Sequence, residues 1–352
     1  MKQVTILPLH GGKAPKWLFW RMVKLAGSIS EVIIDEFGPD DFVCRLSDSN
    51  WFQALSCAIG YDWHSSGTTT VTIGALKEAL KASEEVQIAG GKGKAGLKTP
   101  SDIKEGATRL GIGNQAEKLT EISRMAAKVD SSLIYDNFGI YHHSLIFSKG
   151  KNWCVVQQGM QRDASEAVRF QWSRDSVNPD SIAEEPHAGI SSTMHITTAD
   201  LTSKDNRWFR DNAAEIAHES SDIEIVRRYA RRHEVNGIDI SPRGAELIKK
   251  ASEIEASRFE DLLMAHGIGR KTMRSLAFIG SLIYDKQISF RDPVAYSYNL
   301  GGKDGTPFPI DTNAYDSVIK AMEGIVEEAR IEKFEKYKIL KRLNSKLSSA
   351  KL

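Results

Sequence analysis

Three runs of the chain, Ile140-Tyr-His142-His143-Ser-Leu-Ile-Phe147, Trp153-Cys-Val-Val-Gln157-Gln158-Gly-Met160 and Ala167-Val-Arg169-Phe-Gln171-Trp172, decide the fold. Each is rich in β-branched and aromatic residues and bounded by turn residues, with Ser148-Lys-Gly150 between the first two. Consecutive strands joined by short turns pair antiparallel, so the spacing predicts a meander. Side chains alternate along a strand, which sends His142 and His143 to opposite faces. At most one of them then joins a site with Asp130, Asp136 or Asp62. An acidic–His collection on a sheet suits a metal-dependent phosphodiesterase, and it also suits the wet face of an ordinary antiparallel sheet.

Toward the N-terminus, Val4 to Leu9 reads as a short strand ending in His10-Gly-Gly-Lys13, and Trp17 to Leu25 as an amphipathic helix. Gly38 to Trp63 is apolar and irregular and delivers Asp62-Trp63-His64-Ser65-Ser66-Gly67-Thr68-Thr69-Thr70, the densest polar cluster of this half. On an extended strand Asp62 and His64 point the same way and can share a metal; the hydroxyls equally suit a hydrogen-bonded turn. Thr72 to Ala82 reads as a helix. Gly90-Gly-Lys92-Gly-Lys94 reads as a flexible basic loop, a solvated linker or a phosphate contact through Lys92 and Lys94, without the spacing of a P-loop. Thr99-Pro100-Ser101-Asp102 starts a helix. Gly111-Ile-Gly113 is either a helix stop or the turn of a hairpin. A further helix closes over Ser123 to Val129, ahead of Asp130.

Toward the C-terminus, residues 174–205 have loop and linker composition, which places a boundary between an α/β domain over 1–200 and a helical domain over 206–352. Ser241-Pro-Arg-Gly begins a helix in the manner of a serine cap followed by proline. Phe259 to His266 and Met273 to Tyr284 carry apolar residues at helical spacing around Gly267-Ile268-Gly269-Arg270-Lys271-Thr272. Two glycines leave backbone N–H groups approachable by a phosphate, and a helix N-terminus adds its positive dipole end. Arg270, Lys271 and Thr272 offer two charges and a hydroxyl. The expected fold is therefore α+β: an N-terminal α/β domain with an antiparallel sheet, and a C-terminal all-helical domain containing a helix-hairpin-helix. The tail from Lys333 to Leu352 reads as a basic terminal helix.

Composition narrows the functional classes. A chain of 352 residues with 41% hydrophobic and 26% charged residues is ordinary for a globular protein. A net charge of +1 confines any nucleic-acid contact to a local patch. Cys44, Cys57 and Cys154 are widely spaced, which leaves no four-cysteine set for an iron–sulfur cluster and fits a reducing compartment. No apolar stretch is long enough to span a bilayer, so a cytoplasmic protein with no membrane contact is expected.

The turn and its continuation, Pro309-Ile310-Asp311-Thr312-Asn313-Ala314-Tyr315, resemble the helix-hairpin-helix-GPD DNA glycosylases. That resemblance implies DNA as partner, Lys271 as the nucleophile of base-excision or abasic-site lyase chemistry, and Asp311 as the essential carboxylate. The interval between them exceeds the family's usual one, with Arg291 to Pro309 as the apparent insertion. Asp311 also reads as a cap for the helix near Asn313. The whole chain resembles a second family, domain of unknown function 763, through Leu7-Pro-Leu-His-Gly-Gly-Lys-Ala-Pro15, Asp62 to Thr70, Gly90 to Lys94 and Val155 to Met160. That resemblance implies no activity.

Three functions stand as expectations. The first is a DNA-repair-type enzyme holding DNA through Gly267, Ile268, Gly269, Arg270 and Thr272, with Lys92 and Lys94 as further contacts. The second is a metal-dependent nuclease with Asp62 and His64 in catalysis and Asp62, His64, Asp130 and His142 holding a divalent metal, Mg²⁺ or Mn²⁺. The third is a non-catalytic nucleic-acid-binding protein.

Overall fold

The computed structural model describes residues 16–60, 66–134, 138–161, 166–178, 181–191, 199–222, 238–239, 241–284, 286, 288–289, 324 and 327. Its centre is one five-stranded antiparallel sheet whose spatial order follows the chain: β1 (Val86–Lys92), β2 (Gly139–Ser148), β3 (Trp153–Gln161), β4 (Glu166–Ser173) and β5 (His187–Ser191). The register pairs Leu145 with Val155 and Val155 with Trp172, which places these three apolar side chains in one row on one face. Ile146, Cys154 and Val156 alternate to the other face.

Each face carries its own helices. Helices α1 (Lys16–Phe37), α2 (Pro39–Ser47), α3 (Ser49–Ala58) and α4 (Ser66–Ala79) share a core with Ile88, Ile146, Cys154 and Val156. Helices α5 (Thr99–Arg109) and α6 (Ala116–Ser132) cover the opposite face. Behind them lie α7 (Arg207–Glu219), α8 (Pro242–Ser252), α9 (Phe259–Met264) and α10 (Arg270–Tyr284). The fold class is α+β. Leu145, Trp172, Val129, Phe209, Leu262, Ile268 and Leu276 belong to a single buried cluster, so apolar packing continues across the boundary expected near residue 200. Among the described residues no helix is long and apolar enough to cross a membrane.

Several local expectations change. Residues 39–58 are two helices rather than irregular chain: Pro39 sits in the first turn of α2, and Asp48 Oδ1 accepts from Trp51 N at 2.7 Å as α3 begins. The run 66–70 is the first turn of α4, not strand. The segment 90–94 is the end of β1 leading into a 3-10 turn, not a flexible loop. Its Gly90 has φ +86, and a Cβ there would lie 2.3 Å from His143 O and 2.5 Å from Thr99 Oγ1. Close approach, rather than flexibility, requires that glycine. β5 lies inside the segment read as linker.

Gly111-Ile-Gly113 is a helix stop. Gly111 has φ +71, Ile112 N donates to Ala107 O at 2.8 Å, and Gly111 N donates to Thr108 O at 3.1 Å. This is the paired bonding of a Schellman cap. Ser241 caps α8 as its sequence suggests, its Oγ accepting from Gly244 N at 3.1 Å.

Candidate nucleic-acid interface and the polar groups of the sheet

The stretch 267–272 joins α9 to α10 in a tight turn. Gly267 has φ +91, a conformation that favours glycine, and Ile268 N donates to Ala265 O at 3.2 Å. Ile268 is buried and anchors the turn in the core. Lys128 Nζ, from α6, donates to Ile268 O; burial lowers the pKa of that lysine. The turn is thus fixed from behind.

Its front is open. A Cβ added to Gly269 would meet nothing within 4 Å. Met273 N closes the first bond of α10 on Gly269 O at 2.9 Å, so the amides ahead of it are those that a helix offers to an outside acceptor. Lys271 is exposed in this first turn, and exposed Lys250 comes alongside, its Nζ 3.2 Å from where a Gly267 Cβ would stand. Asp239 is also near: Ser241 hydrogen bonds, and then the charge of Lys271, hold its carboxyl below the usual range.

Two expected phosphate contacts are otherwise engaged. Arg270 donates from Nε to Ser131 O at 2.9 Å and from an Nη to Phe138 O at 2.8 Å, tying α10 to the end of α6 and the approach to β2. Thr272 is buried, 3% exposed. Of the three side chains expected to face phosphate, Lys271 alone stands at the surface. Lys250, Lys128 and Asp239 join the turn from elsewhere in the chain, where no local spacing announces them. Asp311 lies outside the described residues.

On the sheet, Asp130 and His142 are separated. Asp130, 1% exposed, sits in α6 and accepts from Trp172 Nε1 at 3.1 Å, from Gln157 Nε2 and from His187 Nε2 at 2.7 Å. Gln157 Oε1 takes the Nδ1 proton of His143 at 2.8 Å, and His143 Nε2 accepts from Ser123 Oγ at 2.7 Å. The donor roles follow from the carboxylate, which can only accept. Ser123 and His143 have the spacing of a nucleophile and its base, but Ser123 is 3% exposed and faces no substrate. The chain of bonds holds α6 to β2, β3 and β5.

His142 faces the other way, toward α1–α4, with Nε2 against Ser144 Oγ at 3.0 Å. Asp130 and His142 therefore cannot ligate one metal, which corrects the expected four-residue set. Among the described residues no group of three or more His, Cys, Asp or Glu side chains is placed to hold a metal. Asp62, His64 and Asp136 lie outside the described residues. Lys92 is exposed at the end of β1, its Nζ 5.8 Å from the centre of the Tyr141 ring, and Lys94 is exposed in the turn that follows.

On the His142 face a polar row crosses the sheet. Register pairs Lys92 with His142, His142 with Gln158, Gln158 with Arg169, and Arg169 with Ser191. Arg169 is fully buried; its Nε donates to Gln171 Oε1 at 3.1 Å, and its guanidinium lies 4.6 Å from the centre of the Phe52 ring. Burial brings its pKa down to about 9. His142 is held neutral, its pKa lowered to about 3 first by burial, then by the charges of His143, Lys92 and Lys77. Nothing in the sequence singles out Gln158 and Arg169, because single polar residues on an apolar strand give no signal until pairing aligns them.

A family described as "Protein of unknown function (DUF763)" matches residues 3–310. No curated protein and no solved structure matches the chain.

Proposed function

Because the chain belongs to the DUF763 family, whose description gives no activity, we propose from the geometry of the turn that it is a nucleic-acid-binding protein that grips the phosphate backbone of DNA. One observation carries this reading. The turn before α10 is fixed from behind by Lys128 and Arg270, open in front of Gly269, and flanked by the exposed ammonium groups of Lys271 and Lys250. Helical amides and two lysines suit a phosphate oxygen and read no base edge. α9, the turn and α10 then act as a helix-hairpin-helix.

The enzymatic form of the proposal is base excision or abasic-site lyase action, with Lys271 as nucleophile and Asp311 as carboxylate. Exposure of Lys271 at the mouth of the turn supports it. A borohydride trap on abasic DNA tests it: wild type is trapped, and Lys271→Gln is not. Wild type that binds duplex without being trapped is a binding protein only.

Binding itself is tested by fluorescence anisotropy on duplexes of unrelated sequence. Lys271→Glu is expected to weaken all of them alike by about tenfold, roughly 1.4 kcal/mol. Sequence-dependent loss, or none, sinks the reading. Arg270→Ala is expected to act mainly on stability, costing about 2 kcal/mol through the two lost charge-assisted bonds, seen as a lower urea midpoint.

A further inference from the structure

We propose that the cavity between the β2–β3 hairpin and the start of α6 binds a mononucleotide, its base among apolar side chains and its phosphate at a mouth of three cations. The site is independent of the turn before α10. Lys118 lines the cavity and Lys128 holds that turn from behind; ten residues separate them on α6, about 15 Å.

The cavity has a volume of about 240 Å³. That is below the roughly 300–1,000 Å³ that enclose a drug-sized ligand, so it takes one ring system and leaves the rest of its ligand at the mouth. Its walls are Ile112, Leu119, Ile122, Phe147 and Trp153, all members of the core on the α5–α6 face. Phe147 and Trp153 offer aromatic surface, on which any base stacks. A Cβ at Gly106 would lie 2.8 Å from Phe147 Cζ, so α5 fixes that ring from behind. Gln115 lines the cavity with an amide that makes no side-chain hydrogen bond among the described residues. An amide offers a donor and an acceptor, which suits the edge of a nitrogen heterocycle better than that of a hydrocarbon ring.

The charge at the mouth has one sign. Lys118, Lys151 and Arg174 line the same cavity and are exposed. Among the described residues none of the three forms an ion pair. Glu117, Glu121 and Asp175 are close to them in the chain, but among the described residues no carboxylate lines the cavity. Asp40 of α2 accepts from Ser148 Oγ, and Glu85 pairs with Lys149 at 3.4 Å, so the other acids near the hairpin are engaged elsewhere. Three positive groups outnumber the single charge of a carboxylate. They match a phosphate monoester better, which carries close to two charges at neutral pH.

The backbone at the mouth points the same way. Lys149, Gly150 and Lys151 form the hairpin loop, with Ser148 N donating to Asn152 O at 3.0 Å and Lys151 N to Ser148 O at 3.1 Å. Lys151 has φ +73, in the left-handed region. A three-residue hairpin loop ordinarily takes glycine at such a position, and a lysine there is strained. The loop's glycine stands one place earlier, at 150, where a Cβ would lie 2.3 Å from the carboxylate oxygens of Asp40. Folding alone favours glycine at 151 as well. A ligand that needs an ammonium group at the cavity mouth accounts for the lysine.

The test uses the full chain, calorimetry and tryptophan fluorescence, with adenosine monophosphate, adenosine and inorganic phosphate as probes. Wild type is expected to bind the monophosphate saturably with a change in emission, and adenosine or phosphate at least tenfold more weakly. Lys151→Gly, which relaxes the loop, should melt no lower than wild type and bind the monophosphate at least tenfold more weakly. Lys118→Ala removes a cation from the first turn of α6, where it opposes the helix dipole, and should weaken binding similarly without loss of melting temperature. If Lys151→Gly melts lower, Lys118→Ala decides. Trp153→Phe should keep calorimetric binding and lose the emission change. A dinucleotide with a 5′-phosphate that binds more tightly than the monophosphate assigns the site to strand ends; equal or weaker binding assigns it to the free nucleotide. The proposal is overturned by no saturable binding of the monophosphate, by adenosine or phosphate binding as tightly, by unchanged binding in Lys118→Ala, or by an emission change that survives Trp153→Phe. Failure here with duplex binding intact leaves the turn's function standing. Monophosphate binding without duplex binding sinks the turn's function and leaves this site standing.

Discussion

Asp130→Ala is expected to lower the unfolding free energy by about 4 kcal/mol, enough to remove a large part of the stability of an ordinary domain. Asp130 accepts hydrogen bonds from Trp172, Gln157 and His187 in a site with no access to water. Alanine strands three buried donors at once, each worth on the order of 1–3 kcal/mol when left unmade. The damage extends beyond the carboxylate, because Gln157 orients His143 and His143 orients Ser123. Asp130→Asn keeps one oxygen but sets an amide N–H against a donor, and is expected to cost about half as much. Urea denaturation of both variants checks this. An Asp130→Ala midpoint within error of wild type would show that these bonds do not hold α6 to the sheet.

Glu184→Ala is the second large effect, with an expected loss of about 3–5 kcal/mol. Arg210 is 4% exposed, and its two Nη groups donate to Leu201 O at 2.6 Å, Ser203 O at 2.8 Å and the carboxylate of Glu184. Arg207 Nε reaches the same carboxylate at 2.7 Å. Removing Glu184 leaves a buried guanidinium uncompensated, which costs more than the pair contributes. The pH dependence has a definite sign. Hydrogen bonding from Arg207, opposed by burial and reinforced by Arg210, lowers the Glu184 pKa to about 2 from its model-peptide value near 4.5. A depressed carboxyl stabilises fully above the unfolded value and loses its contribution as pH falls toward the folded one. Wild type should therefore lose stability between about pH 4.5 and pH 2, and Glu184→Gln should show a flatter profile across that window. Parallel acid profiles would contradict the assignment.

The sheet was legible where its strands alternate or run apolar between turn residues, as β2, β3 and β4 do. β1 was hidden because Gly90 and Gly91 read as a flexible loop, whereas His143 O and Thr99 Oγ1 press on the first of them. α2 and α3 were hidden by Gly38, Pro39 and the polar run Ser47-Asp-Ser-Asn50, which are boundaries of helices as well as of loops. β5 is five residues long, too short to show a period. The turn before α10 shows the same limit. Its two glycines and helix start are local features and could be read directly. The use of Arg270 as an internal tie, the burial of Thr272 and the arrival of Lys250 depend on where α6 and α8 pack, which nothing within the turn specifies. Alternation showed that His142 and His143 part company; only the folded chain shows that His143, not His142, is linked through Gln157 to Asp130.

The salt dependence of duplex binding tests the central claim most directly. A lysine that neutralises a backbone phosphate contributes about 0.9 to the slope of log affinity against log salt. Measured from low to moderate salt on two unrelated duplexes, wild type should show the same steep slope on both. The double variant Lys250→Gln, Lys271→Gln should show a slope smaller by about 1.8, with the loss alike on both sequences. Equal slopes for wild type and the double variant would contradict the account, and so would a wild type that does not bind duplex at all.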